Sequence, residues 1–368
     1  MHVTILHPHP IHSKDVLFTA LALLGIEVDI VFAARFSILR TASEQPVGSS
    51  YRSFFLSEGS FESLPQVRTA MRAVKVFEEC CPDVVIICGY SYLPTWTVLA
   101  WAKACRKPVV LWFQSNVFDH PRLRVKEAIK SVFVRACDVA HVYGKSNREY
   151  LERLGVKHSA IFEKKATMDC EMFLAKRASF HKGFRRFVYV GRFAQEKNLP
   201  RLLEAFCILR DTEHAELVLV GHGPEEAALR SKVRVLNLDD SITFAGAKTQ
   251  VEVSQALAEC DCLVLPSLSE PWGLVANEAL CTGIPIIVSD RCGCAADLVT
   301  QDTGWLVEAE DTQKLAEAMA AVCRLPIQHL EKMGEAAVKM ACDYSPEACA
   351  HRIIGNLEDI LQSKGTAR

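Results

Sequence analysis

The chain has 368 residues, half of them hydrophobic and 23% charged, with a formal net charge of −2. At roughly 100–200 residues per domain, this length predicts two or three domains with sizeable cores. Basic residues outnumber acidic ones over 1–165 and the reverse holds over 166–368, so the first half should tolerate an anionic partner better; no nucleic acid is expected as a partner.

The fifteen cysteines include no C-x-x-C pair, which argues against a zinc ribbon and a disulfide framework. They are expected to be small core residues in a reducing cytosol. The N-terminus MHVTILHPHP enters a strand directly, so no signal peptide is expected. No apolar run approaches the ~18 residues that a spanning helix needs, and these features together predict a cytoplasmic protein.

Short apolar runs alternate with helical patterns along the chain. In the first half, strands are predicted at 3–7, 28–33, 83–89, 108–114 and 139–144, with helices around 16–25, 64–79, 95–105 and 122–136. In the second half, strands are predicted at 185–192, 215–221, 241–246, 261–267, 285–290 and 304–309. Strands that are apolar on both faces and separated by helices form parallel sheets. We therefore predict an α/β fold of two Rossmann-like, doubly wound domains.

The domain boundary is expected between 163 and 183, where the helical and strand periodicity is lost. We assign 1–165 to an N-terminal domain and 166–344 to a C-terminal domain. A final helix lies within 345–368. Two such domains facing each other would leave a cleft at the carboxyl ends of both sheets, where open α/β folds bind ligands.

One loop of this kind is LPSLSEPWGLVANEALCTG (265–283), with Glu270 before a predicted helix and Glu278 inside it. Unpaired amides at the helix start, over Gly273, Leu274 and Val275, suit an anion. Carboxylates on either side suit the hydroxyls at the two ends of a nucleotide sugar. The alternative is that both glutamates are solvated charges, although the apolar neighbours of Glu278 argue against it.

Carboxylates beside a diphosphate require cations. The segment GRFAQEKNLP offers Arg192 and Lys197 at a strand end, and Asn198 is the predicted N-cap of the next helix. Arginine can bridge two phosphate oxygens and lysine adds a point charge. The alternative is that Arg192 pairs with Glu196 and Lys197 caps nothing.

Two further loops carry weaker signals. LVLVGHGPEEAAL (217–229) holds half of a dinucleotide fingerprint but lacks its third glycine. ITFAGAK (242–248) ends a strand at Gly246, where the backbone can approach a flat base.

Together, GRFAQEKNL, VGHGPEE, ITFAG and SEPWGLVANEAL resemble, in order and spacing, the C-terminal half of retaining GT-B glycosyltransferases with the Glu-x7-Glu signature. This large family includes sucrose synthases and bacterial mannosyl- and glucosyltransferases. The resemblance implies the GT-B fold and a hexosyltransferase that uses a nucleoside diphosphate sugar, with UDP as the family prior. It implies no metal, and no cofactor besides this co-substrate.

The resemblance also implies residue roles. Glu278 would bind the ribose hydroxyls and Glu270 the transferred sugar. The amides of 273–275 would hold the diphosphate together with Arg192 and Lys197. The donor site is completed by Gly246 and Trp272.

The resemblance further implies that 1–165 is the acceptor-side domain and 166–344 the nucleotide-sugar-binding domain. Many family members carry a glycine pair in the first loop, which here reads HPHPIHSKD. The residues expected to substitute for that pair, or to serve the acceptor, are His9, His12, Ser13 and Lys14.

The loop WFQSNVFDHPR (112–122) is expected near the anomeric carbon or the acceptor hydroxyl. Its candidates are Gln114, Asp119 and His120, with the last two favoured. The alternative is that Asp119 caps the following helix.

The basic segment 103–135 contains a helix with Val125, Ile129, Val132 and Phe133 on one side. One interpretation is an ordinary amphipathic helix packed on its sheet. The other is a peripheral surface for anionic lipid, which would suit a lipid-linked acceptor rather than a small molecule or a glycan.

Two rival functions share many of these features. A nucleotide-sugar epimerase of the same fold would release UDP without an acceptor. A non-catalytic nucleotide- or NAD-binding protein would bind without turnover, although the incomplete glycine fingerprint argues against NAD.

Overall fold

The computed structural model describes residues 1–38, 48–119, 122–174 and 179–365. The chain divides into two compact units. The first comprises Met1–Ser115, Pro121–Met168 and Ser345–Arg368, and the second comprises Asn116–His120 and Asp169–Tyr344. The sequence predicts a boundary after 165 and keeps the whole 112–122 loop in the first domain. By contacts, the boundary follows Met168 and the centre of that loop belongs to the second unit.

The first unit is built on one parallel sheet. Its strands are β1 (His2–His7), β2 (Glu27–Phe32), β3 (Arg52–Phe55), β4 (Val84–Cys88), β5 (Val109–Phe113), β6 (Val139–Val142) and β7 (Ile161–Glu163), in the order β3-β2-β1-β4-β5-β6-β7. Its first helices are α1 (His12–Leu23), α2 (Gln66–Cys80), α3 (Leu93–Ala104), α4 (Arg124–Ala136) and α5 (Lys145–Arg153). Every residue of β4 and β5 is buried, as a sheet covered on both faces requires.

The second unit repeats this architecture. Its strands are β8 (Arg185–Val190), β9 (Ala215–Val220), β10 (Ile242–Gly246), β11 (Cys262–Leu265), β12 (Ile286–Ser289) and β13 (Gly304–Val307), in the order β10-β9-β8-β11-β12-β13 and all parallel. Its helices are α6 (Cys170–Phe173), α7 (Leu199–Arg210), α8 (Glu226–Val235), α9 (Gln250–Ala258), α10 (Leu274–Cys281), α11 (Ala295–Leu298), α12 (Thr312–Arg324) and α13 (Ile327–Cys342). The strand order reverses between β8 and β11, and ligands of open α/β sheets bind at such a point.

The last helix, α14 (Pro346–Gly365), belongs to the first unit and packs on α1. Its buried side chains include Ile353 and Leu357. Asn356 of this helix lies 2.7 Å from Nε2 of His141 on β6. Burial lowers the pKa of His141 to about 4, so this histidine is a neutral core residue at physiological pH.

Two parallel sheets confirm the predicted fold class. The sequence gives no warning of β3 and β7, which are only four and three residues long. Helix α1 begins at His12 rather than near 16, because its polar first turn resembles a loop in the sequence. All fifteen cysteines lie within the described residues and none is in a disulfide. Among the helices described, none is long and apolar enough to cross a bilayer.

Candidate functional site

The loop after β8 carries the first predicted cation. Arg192 donates to Oε1 of Glu196 over 2.6 Å, and its side chain is 50% exposed. The pairing of Arg192 with Glu196 that the alternative expects is therefore present. An exposed ion pair of this kind is worth only about 0–1 kcal/mol, so Glu196 is a weak competitor for an anion that approaches Arg192.

The second predicted cation meets the first predicted carboxylate. Nζ of Lys197 lies 2.5 Å from Oε2 of Glu270, and both side chains are 16% exposed. Two residues that are 73 positions apart in the sequence thus form one partly buried ion pair. Such a pair places a fixed positive charge and an acceptor oxygen at the same point of the sheet edge.

Lys197 is held by the residue that follows it. A 3₁₀ turn over Gln195–Lys197 ends at Asn198, which has a left-handed φ of 57°. The side chain of Asn198 donates to the carbonyls of Pro266 and Ala309, at 3.1 and 2.8 Å. Asn198 occupies the N-cap position of α7, as predicted, although its side chain makes no cap bond. The side chain instead fixes the Lys197 loop to the ends of two strands.

Gly273 starts α10 in a conformation that only glycine tolerates. Its φ is 96°, and a Cβ added there would lie 2.8 Å from Cδ2 of Leu265. The amide of Ala276 donates to the Gly273 carbonyl. Leu274 and Val275 precede the first residue that has an intrahelical acceptor, so their N–H groups form a positively polarised helix tip.

Glu278 lies one turn further along α10. Its carboxylate is half-buried and makes no hydrogen bond or ion pair with any described residue, and burial raises its pKa to about 7. A buried carboxylate is stabilised by hydrogen-bond donors. Because nothing in the described chain supplies them, Glu278 suits the hydroxyl groups of a ligand, and it is not a solvated helical charge.

Replacing Glu278 with glutamine is expected to stabilise the ligand-free protein by about 1–3 kcal/mol near pH 8. The pKa of about 7 in the folded protein exceeds the ordinary value of 4.5, so the folded state binds the proton more tightly. The contribution of Glu278 to stability is therefore fully present below about pH 4.5 and is lost as the pH rises through 7. Urea denaturation of both proteins at pH 8 and near pH 4 measures the difference in the free energy of unfolding.

The matched control is Glu331→Gln, at an exposed position of α13, which should change little. Since glutamine is neutral at every pH, the gain at position 278 should vanish near pH 4. An equal gain at both pH values would contradict the assigned cause.

Trp272 is not available to a ligand. The ring is 3% exposed and its Nε1 donates to Oδ1 of Asn277 over 2.7 Å. The ring packs against Tyr344, with centroids 6.3 Å apart. Its predicted place in the donor site is therefore corrected: the indole belongs to the core beneath α10.

The backbone of Glu270 is held by residues that the sequence analysis does not single out. Its carbonyl accepts from the Gly293 amide and from Nδ2 of Asn116, both at 2.9 Å. Asn116 is fully buried and lies 3.3 Å from the Pro271 carbonyl as well. No sequence signal marks Asn116, because a contact with a backbone carbonyl leaves no motif.

The other candidates of that loop have local roles. Asp119 accepts from the Asn116 amide through Oδ2 at 2.9 Å. The N-cap position of α4 is Leu123, so the alternative that Asp119 caps this helix is wrong. Gln114 is half-buried, and its carbonyl accepts from Nδ2 of Asn147. His120 lies outside the described residues.

The first loop and the start of α1 place their polar residues differently. His9 and Lys14 are buried, and Lys14 donates to the hydroxyl of Tyr143 over 2.6 Å. His12 and Ser13 are half-buried in the first helical turn. His12 and Ser13 are therefore better placed than His9 and Lys14 to reach a ligand.

The glycines after β9 and β10 allow strands to approach closely. A Cβ on Gly221 would lie 1.9 Å from the Gly191 carbonyl, and one on Gly223 would lie 2.3 Å from that of Phe193. The partial dinucleotide fingerprint is explained by this packing. Gly246 has a φ of 71° with open space around it, which leaves its backbone accessible.

Comparison with known proteins relates the second unit to sugar transfer. Residues 173–340 match the family model of glycosyl transferases group 1. The N-acetyl-alpha-D-glucosaminyl L-malate synthase of Bacillus anthracis is 32% identical over 151 residues, which are 41% of this chain and 39% of that enzyme. The chain thus spans about two fifths of the length of the curated relatives that it matches first.

Solved structures cover the whole chain. Sucrose-phosphate synthase from Thermosynechococcus elongatus superposes with a TM-score of 0.78 and 18% identity, over 99% of this chain and 100% of that one. Anabaena Alr3699/HepE, solved in complex with UDP and glucose, gives a TM-score of 0.74 and 15% identity, over 98% and 100%. With two Rossmann-like parallel-sheet units, the chain has the fold of these proteins, GT-B.

Proposed function

We propose that the protein is a retaining hexosyltransferase that moves a sugar from a UDP-sugar to an acceptor hydroxyl without a metal ion. The observation that carries this proposal is the Lys197–Glu270 ion pair after β8 and β11 of the same sheet, with the α10 tip three residues beyond Glu270. The glycosyl transferase match of 173–340 supports sugar transfer. The UDP complex of the Anabaena protein supports the choice of base.

The donor would be held by groups of opposite charge. The amides of Leu274 and Val275, with Lys197 and Arg192, bind the diphosphate. Glu278 accepts hydrogen bonds from the ribose hydroxyls. The accessible backbone at Gly246 lies against the base.

In the reaction, the bond between the anomeric carbon and the β-phosphate oxygen breaks, and a bond to the acceptor oxygen forms on the same face of the sugar. The acceptor proton passes to the departing phosphate oxygen, and UDP is released. The negative charge that develops on UDP is stabilised by Lys197, Arg192 and the helix tip, which are preorganised for it. Glu270 accepts from a hydroxyl of the transferred sugar and keeps Lys197 in place.

The acceptor would be bound by residues of the other loops, for which Ser13, Gln114, Asp119 and His120 are the candidates. The acceptor would be a small molecule, a glycan or a lipid-linked sugar, and the enzyme would bind it in the cytoplasm.

Product analysis with a panel of UDP-sugars tests the proposal. Acceptor-dependent release of UDP is expected. The ¹H NMR coupling constant of the anomeric proton in the product should show the same anomeric configuration as in the donor. Release of UDP with an epimerised free sugar would establish an epimerase instead. Binding of UDP without turnover of any UDP-sugar of the panel, with or without an acceptor hydroxyl, would establish a non-catalytic nucleotide-binding protein.

A further inference from the structure

Helix α4 exposes its apolar stripe. The exposed fractions are 72% for Val125, 53% for Ile129 and 65% for Val132, whereas Phe133 is fully buried. The packed amphipathic helix expected from the sequence is therefore correct for Phe133 and wrong for the other three. We call Val125, Ile129 and Val132 the α4 stripe.

The α4 stripe is narrow and straight. Its residues follow one another at spacings of four and three, so at roughly 100° per residue they lie within about 60° of one another around the helix. Three large apolar side chains along one side of a helix form an exposed apolar stripe, which marks an interaction surface.

Basic residues border the α4 stripe. Arg124 and Arg135 lie about 80–100° to one side of Val125 and Lys126 about 100° to the other, and all three are exposed. None of them makes an ion pair with a described residue. The two flanks of the α4 stripe therefore carry three positive charges that no ion pair within the described residues neutralises.

The acid of α4 lies on the opposite side and is neutralised. Glu127 binds Lys130 at 2.8 Å and Arg122 at 3.3 Å, and it also accepts from the hydroxyl of Tyr150. This network ties the inner face of α4 to α5. It leaves the outer face with apolar and basic groups only.

We propose that α4 docks on an anionic lipid bilayer, with the α4 stripe inserted at the level of the acyl boundary and the three flanking cations at the headgroups. Apolar residues between two basic flanks are the arrangement of helices that lie in the membrane interface. The positive charge argues for this occupant over a second copy of the chain, because two such faces would repel each other. The inference does not depend on the proposed transferase activity.

Co-sedimentation of the full chain with vesicles tests the docking. Binding is expected to vesicles that contain phosphatidylglycerol at low salt, and not to pure phosphatidylcholine vesicles. Changing Arg124, Lys126 and Arg135 together to glutamine should weaken the partition coefficient on the order of fivefold per charge. Changing the α4 stripe to serine should weaken it by a further tenfold or more.

Two matched triple variants serve as controls. Val67, Met71 and Val235 are large, exposed apolar residues on other helices, and their change to serine should leave binding intact. Lys182, Arg234 and Lys332 are exposed cations away from α4, and their change to glutamine should likewise leave binding intact. No vesicle binding at low salt, or equal losses in test and control variants, would overturn the proposal. A shift in oligomeric state on changing the α4 stripe, without a change in vesicle binding, would assign the surface to a protein partner instead.

Discussion

Replacing Lys197 with alanine is expected to lower kcat on the order of 10²–10³-fold, with a much smaller change in KM. The change removes a fixed cation from the point where charge develops on the leaving diphosphate. It also leaves Glu270 without its 2.5 Å partner, so that an uncompensated carboxylate faces the phosphates. Steady-state kinetics with the active UDP-sugar and acceptor measure the split between kcat and KM.

The control for this change is Lys232→Ala. Lys232 forms an ion pair with Glu204 in the same unit, between α8 and α7, so its loss should leave kcat within about twofold. In the double variant Lys197→Ala with Glu270→Gln, the repulsion by Glu270 is removed, and KM for the donor should recover while kcat stays low. A kcat for Lys197→Ala that equals the control would show that the lysine takes no part in the reaction.

Replacing Gly293 with alanine should cost about 3 kcal/mol or more in the free energy of unfolding and at least tenfold in UDP affinity. The new Cβ would lie 2.0 Å from the Pro271 carbonyl and 3.2 Å from Nδ2 of Asn116. Neither neighbour can move without displacing the backbone of Glu270, because Asn116 and the Gly293 amide both bind the Glu270 carbonyl. Urea denaturation and calorimetric titration with UDP give the two values.

Gly355→Ala is the matched control. Gly355 lies inside α14 with nothing within 4 Å of an added Cβ, so alanine there should be neutral or stabilise by up to ~1 kcal/mol through its higher helix propensity. If Gly293→Ala unfolds at the same urea concentration as the Gly355 variant and binds UDP normally, the loop of Glu270 is not constrained in the way described.

Much of the fold follows from the sequence because its strands are buried on both faces. Continuous apolar runs such as VVIIC in β4 and VVLWF in β5 predict parallel strands between helices. The sequence does not predict strands β3 and β7, because RSFF and IFE are too short to show a hydrophobic period. The segment 116–119 is misassigned because its contacts with the Glu270 loop join residues about 150 positions apart, which no local pattern encodes.

The sequence could bring the candidate donor residues to one sheet edge because they follow strands of one sheet. The sequence predicts Lys197 and Glu270 as separate contacts, yet their ion pair depends on side-chain directions that spacing does not give. Trp272 is misplaced because its large ring gains most by burial, with Asn277 as partner for its N–H. Asn116 is missed because it acts on a backbone carbonyl, and such contacts leave no motif.

The central claim is that the α10 tip and the two cations after β8 hold a diphosphate while Glu278 holds a ribose. The crystal structure of the protein with UDP tests it most directly. The account predicts phosphate oxygens within hydrogen-bond distance of the Leu274 and Val275 amides and of Lys197, with the ribose hydroxyls on the Glu278 carboxylate. UDP bound at another place, with no ligand hydroxyl on the Glu278 carboxylate, would contradict it.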